Sequence, residues 1–202
     1  MSSSPRVSAS RPLPPYSYVP GHEHPHPVND PRGHLYGQEH RQPLPPEALP
    51  QLPTEPASRR QALAALLATS PEWLYALNLF NGGYYWEAHE AWEGFWHALG
   101  RTTPEARLVQ GLIYLAAACV KIREGKPEGV KRHFNRAGEL LGDLEAACLG
   151  DAGSGNRFAL GLDCESVVCL LRELEYYRPE CWHTSRTPVV RVLAAELRLA
   201  GH

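Results

Sequence analysis

Apolar and polar positions fall into three regimes along this chain of 202 residues. Up to about residue 56 they follow no helical or strand period. From Ser58 onward apolar residues recur every three or four positions, the spacing that gathers them on one face of an α-helix. Cap and stop signals divide this second regime. "SRRQALAALLA" reads as a short helix with Ser58 as its cap. In "SPEW" (70–73), Ser70 is placed to cap, Pro71 suits the first turn, and Glu72 favours the positive end of the helix dipole. That helix runs to Phe80 and stops at Asn81-Gly82-Gly83. The next spans about Tyr84 to Leu99 and stops at Gly100. "TPEA" (103–106) opens a helix ending near Glu124, with Gly125 as its stop. Pro127 opens another that runs to about Cys148, "GDAGSGN" (150–156) is a loop, and Asp163 caps a last helix that ends before Pro179. The third regime, from Pro179, mixes proline with β-branched residues and reads as extended, with room for one short final helix.

The expected fold is therefore all-α: about five helices joined by short loops and packed as antiparallel hairpins. The expected division is an arm over 1–56, a helical domain over 57–178 and an extended C-terminal segment over 179–202. Fourteen of the 19 prolines lie before residue 57. Proline fixes φ and removes a donor, so the arm is expected to be extended or disordered, or laid over the body. It clusters His22, His24, His26 and His34, which reads either as a metal-binding tract or as an inert polar tail.

Charge adds exclusions. Twenty basic residues face 22 acidic ones, for a net charge of −2. That balance argues against nucleic acid as a partner, because phosphate binding is mainly a positive-charge effect. No apolar run reaches the ~18 residues a membrane span needs. The longest, "LIYLAAACV" (112–120), suits a buried helix. The start, "MSSSPRVSASRPLPPYSYVPG", has no apolar core and does not read as a secretory signal. Five cysteines (Cys119, Cys148, Cys164, Cys169 and Cys181) without a C-x-x-C pair suit a reducing, cytoplasmic compartment.

The candidate chemistry lies in "YYWEAHEAWEGFW" (84–96). At about 100° per residue, Tyr85, Ala88, Trp92, Phe95, Trp96 and Leu99 share a broad apolar face. Glu90, Glu93 and His97 form a second line beside Trp86, with His89 at the border and Glu87 pointing elsewhere, toward solvent or another partner. The following helix is apolar almost all round, which predicts a central position. Yet Arg107, Gln110, Tyr114 and Lys121 line up along one side of it. Buried cations need partners, so this stripe is expected to face Glu90, Glu93 and His89.

Three functions fit these stripes. His89-Glu90-x-x-Glu93 approaches a helical zinc-site spacing, with His97, His133 or an arm histidine as a further ligand and Glu90 as a base. That is the pattern of a metal-dependent hydrolase, although a nearby Lys121 opposes a cation. Alternatively, the stripes form a metal-free site with no cofactor, in which Arg107 and Lys121 hold an anionic ligand while a glutamate does acid–base work, within a small-ligand or protein-binding domain. Finally, they form a structural network that fixes helix register. Lys131, Arg132, His133 and Arg136 read as a solvated face or an anion patch. A faint 42-residue repeat aligns Gly83 with Gly125, Ala88 with Val130 and Trp92 with Phe134; without a third copy it does not make a solenoid. Trp73 and Trp182, if exposed, would favour a homo-oligomer.

"ALNLFNGGYYWEAHEAWEGFW" followed by "RLVQGLIYLAAACVKIREGKPEGVKRHFNRA" resembles the domain-of-unknown-function family numbered 309. The resemblance covers about residues 73–145. It rests on Phe80, Asn81, Gly83, Glu87, His89, Glu90, Glu93, Trp96, Arg107, Gln110, Gly111, Lys121, Gly125 and Gly129. It implies a small all-helical fold and no established activity.

Overall fold

The computed structural model describes residues 11–38, 42–45, 47–149, 159–178 and 184–200. The predicted loop 150–156 and the residues Cys181 and Trp182 lie outside this set, as does the side chain of Cys148. Six helices follow in order: α1 (Pro56–Thr69), α2 (Pro71–Asn81), α3 (Tyr85–Ala98), α4 (Pro104–Arg123), α5 (Pro127–Leu149) and α6 (Cys164–Glu175). A 3-10 turn, Ala159–Gly161, precedes α6. The described residues form no sheet; a single antiparallel bridge joins Leu162 to Leu199.

The caps explain the boundaries. The Ser70 hydroxyl accepts from the Trp73 N–H at 3.3 Å, and the Thr103 hydroxyl from the Ala106 N–H at 3.1 Å. Ser58 does not cap α1. Pro56 already begins the helix, and the Glu55 carboxylate takes the N–H groups of Ala57 (2.9 Å) and Ser58 (2.7 Å). Asp163 occupies the position before α6, but its carboxylate pairs with Arg198 at 3.2 Å instead of capping.

Helix α4 is central, packed between α3 and α5, and it buries residues on most of its circumference. Gly111 permits its close approach to α5, because a Cβ there would lie 2.5 Å from Leu141 Cγ. Tyr85, Ala88, Trp92, Phe95 and Leu99 of α3 enter the core as predicted. Trp96 is only half-buried, with its Nε1–H donating to the Arg101 carbonyl at 3.0 Å. Trp73 is fully buried against Trp92 and Phe95, so it leaves no aromatic surface for a second subunit to cover.

Both extended ends lie against this helical body. From the arm, Tyr16, Ser17, Val19 and Leu44 are buried, and Pro43 lies beside Gly94 of α3. From the C-terminal side, Val192, Leu193, Leu197 and Leu199 are buried, and no helix forms over 184–200. The two ends touch each other where the Ser17 N–H donates to the Pro188 carbonyl at 2.9 Å.

Candidate functional site

Four residues around the start of α3 hold the extended ends. The Asn81 amide makes a paired contact with the Leu197 backbone, donating at 2.8 Å and accepting at 2.9 Å. The Tyr85 hydroxyl accepts from the N–H groups of Val192 (2.9 Å) and Leu193 (3.4 Å). Gly83 has φ +89°, and a Cβ there would meet the Val190 carbonyl oxygen at 2.8 Å, so glycine is required twice over. Glu87 holds the other end. Its Oε2 accepts from the Ser17 hydroxyl at 3.0 Å and its Oε1 from the Tyr18 N–H at 2.9 Å. His34 Nε2 stands 3.6 Å from the same Oε1.

Glu87 is thus a buried carboxylate whose partners come from about 70 residues away in sequence. Burial pushes its pKa up to about 7, opposed by the Tyr18 and Ser17 hydrogen bonds. Burial also lowers the pKa of His34. Around this contact the arm builds an aromatic cluster. Tyr18 and His26 pack on Trp86 at ring separations of 5.5 and 5.3 Å, and Tyr16 lies between His24 and His34 at 4.8 and 4.6 Å. His24, His26 and His34 therefore pack among rings, and among the described residues the arm histidines join no group of metal-ligating side chains.

One turn further along α3 the picture opens. Glu90 and Glu93 line a cleft of about 840 Å³ between the arm and helices α2 and α3. Its apolar walls include Val28 and Leu35 from the arm and Leu79 and Phe95 from the body. Glu72 at its edge pairs with Arg11 at 3.4 Å, and the Arg11 guanidinium also lies 4.2 Å from the centre of the Tyr75 ring. His97 lines the rim and accepts from Arg101 Nε at 2.8 Å. His89 Nδ1 is 3.6 Å from Glu90 Oε1. One ligand atom each from His89, Glu90 and Glu93 all lie within 4.8 Å of one another.

The expected meeting of the two polar stripes does not occur. The Lys121 ammonium pairs with Glu124 of its own helix end, which also holds Lys126 at 2.5 Å. Burial alone would raise the Glu124 carboxyl, but the hydrogen bonds from these lysines outweigh it and hold it below its ordinary value. The Lys121 stem lies against Gly129 of α5, and Tyr114 stacks on His133 of α5 at 5.7 Å. Gln110 is half-buried and Arg107 is exposed. Tyr114 and Lys121 of the α4 stripe therefore turn toward α5, whereas Glu90 and Glu93 turn toward the arm. The physical reason is that the cationic stripe found a nearer acid, three residues along the same helix, at little ordering cost. Only His89 touches both environments, since its field reaches His133, whose pKa is lowered by burial and then by Arg132 and Lys121. Lys131, Arg132 and Arg136 are exposed, and Arg136 pairs with Glu139 at 2.6 Å.

Sequence reasoning overlooked Glu87 as an anchor. A signal was present: Glu87 heads a line of small residues, Ala91, Gly94 and Ala98, at helical spacing. Such a line invites close packing, and it now forms one wall of the cleft.

Residues 73–133 match the family described as Domain of unknown function (DUF309). The resemblance read from the sequence is thereby found independently over most of its span. No curated protein and no solved structure matches the chain.

Proposed function

We propose that this chain, with its DUF309 segment at the centre, binds a small molecule carrying a protonated amine, in the cleft that the arm closes over α2 and α3. One observation supports the reading most. Glu90 and Glu93 line a cleft of about 840 Å³, and among the described residues the basic group paired with Glu90 is His89. The size falls within the ~300–1,000 Å³ typical of small-molecule sites. Val28, Leu35, Leu79 and Phe95 would take the apolar body of the ligand while the two carboxylates take its charge. Glu87 and Glu72 are already engaged by the arm, which leaves Glu90 and Glu93 as the recognising groups. No cofactor is needed. A reducing, cytoplasmic setting accords with the unpaired Cys119 and Cys169. No helix among the described residues is long and apolar enough to cross a membrane.

Isothermal titration with spermidine and with phenethylamine tests this. Saturable binding of at least one probe is expected, weakened at least tenfold, by an order-of-magnitude estimate for losing charge-assisted bonds, in the Glu90→Gln/Glu93→Gln double variant. No saturable heat at millimolar probe, or equal binding by the double variant, would sink the proposal.

A second reading, a metal-dependent hydrolase, is favoured by the mutual proximity of His89, Glu90 and Glu93. One histidine nitrogen and two carboxylate oxygens suit zinc or manganese, and Glu90 would then be a ligand rather than a free base. Dialysed, tag-free protein that takes up neither zinc nor manganese in titration would end this reading.

A further inference from the structure

Arg123, the last residue of α4, is 1% exposed. Its Nη2 donates to the carbonyl oxygens of Ser185 (3.0 Å) and Thr187 (2.9 Å) in the C-terminal segment. Its Nε and Nη1 are buried and make no hydrogen bond. Among the described residues no carboxylate acts on it. Burial weakens its hold on its proton, and among the described residues the Tyr85 phenol opposes this. The acid next in sequence, Glu124, is occupied by Lys121 and Lys126.

The surroundings add positive charge. The His22 ring, from the arm, lies close to the Arg123 backbone, and the charge of Arg186 in the C-terminal segment acts on the same histidine. Burial, then the fields of Arg123 and Arg186, hold His22 below its ordinary pKa. Three segments of the chain therefore converge on a buried guanidinium, and each contributes a cationic or ionisable group. Arginine is rarely buried without a partner, and an uncompensated buried charge costs several kcal/mol. Two carbonyl dipoles satisfy one nitrogen; they leave the charge and two other nitrogens unanswered.

We propose that this junction binds a small inorganic anion, chloride or a phosphate-type oxyanion, held by Arg123 Nε and Nη1 with His22 and Arg186 at its rim. The anion supplies the missing countercharge. Because its holders come from the arm, α4 and the C-terminal segment, its binding favours the state in which both ends are docked. The site is independent of the acidic cleft, which selects the opposite charge.

The test uses the full chain at constant ionic strength, with sodium gluconate replaced stepwise by sodium chloride or by sodium phosphate. The thermal midpoint of the wild type is expected to rise saturably by at least about 3 °C with one or both anions, as ligand binding to the folded state requires. A response to chloride alone assigns the halide, and a response to phosphate alone assigns the oxyanion. Arg123→Gln is expected to abolish the response. If that variant does not fold, Arg186→Gln, an exposed position, decides: its half-saturating concentration should rise at least threefold, a modest electrostatic loss. A midpoint that tracks gluconate for both anions overturns the proposal. So does saturation of Arg186→Gln at the wild-type concentration.

Discussion

Glu87 and Glu90 sit three residues apart on one helix, yet their surroundings differ in kind. Glu87 is sealed beneath the arm, with Ser17 and Tyr18 as donors and His34 beside it. Glu90, with Glu93 one turn on, faces a cleft, and His89 is its ion-pair partner among the described residues. Helical phase accounts for part of this contrast, since the three carboxylates point in different directions. The rest comes from the arm, which covers Glu87 with Ser17 and Tyr18 and, further along, leaves Ala91, Gly94 and Ala98 lining the cleft beside Glu90 and Glu93. Motif spelling alone is therefore a poor guide to role: of three α3 carboxylates lining one cleft, Glu87 is taken up in anchoring the arm, and Glu90 and Glu93 are not.

Mutation should separate the two roles sharply. Glu87→Ala strands the Ser17 hydroxyl and the Tyr18 N–H in a buried site, and is expected to cost about 2–4 kcal/mol in urea unfolding while exposing the arm to limited proteolysis. Glu90→Ala and Glu93→Ala should stay within about 0.5 kcal/mol of wild type, since neither is sealed. Similar losses at all three positions would erase the distinction.

The C-terminal segment provides the next test. Tyr85→Phe removes the acceptor of two buried backbone N–H groups. A loss of about 2 kcal/mol is expected, together with faster amide exchange over 190–199 and unchanged exchange in the arm. Exchange that rises in both ends would mean that they dock as one unit.

The pH dependence of Glu87 has a definite sign. Its folded pKa of about 7 lies above the 4.5 of the free side chain. The folded state thus holds the proton more tightly, and the group's stabilising contribution, full below pH 4.5, fades as pH rises to 7. His34 works the other way, since its lowered pKa takes stability away as pH falls below 6.5. Subtracting the curve of Glu87→Gln from that of the wild type isolates the carboxyl. The difference should decline between pH 4.5 and 7 and be flat above.

The smallest expected effect concerns the stripes that turned apart. A double-mutant cycle of Glu93→Gln and Lys121→Met should give a coupling below about 0.3 kcal/mol, because the two do not pair. The cycle of Lys121→Met and Glu124→Gln should give about 1–2 kcal/mol, because Glu124 is buried and bonded.

The helices were legible in the sequence because their signals are local. Ser70 and Thr103 act as caps three residues from their partners, and the apolar face of α3 follows from phase alone. The docked ends were not legible, because the contacts that matter span 70 residues for Glu87 and Ser17 and 107 for Tyr85 and Val192. A proline-rich stretch carries no period from which such pairings can be read. The pairing of the stripes was misjudged for a related reason. Periodicity gives the direction a side chain takes from its own helix, but not which neighbour lies there, and Lys121 had Glu124 within reach on its own.

The most direct test of the divided helix is carbon-13 NMR of the glutamate side-chain carboxyls, titrated with pH and then with spermidine at fixed pH. The account predicts that Glu87 titrates near pH 7, as burial beneath the arm requires, and that spermidine shifts Glu90 and Glu93 while leaving Glu87 in place. A Glu87 that titrates at the ordinary value of 4.5, or a spermidine response centred on Glu87, would contradict it.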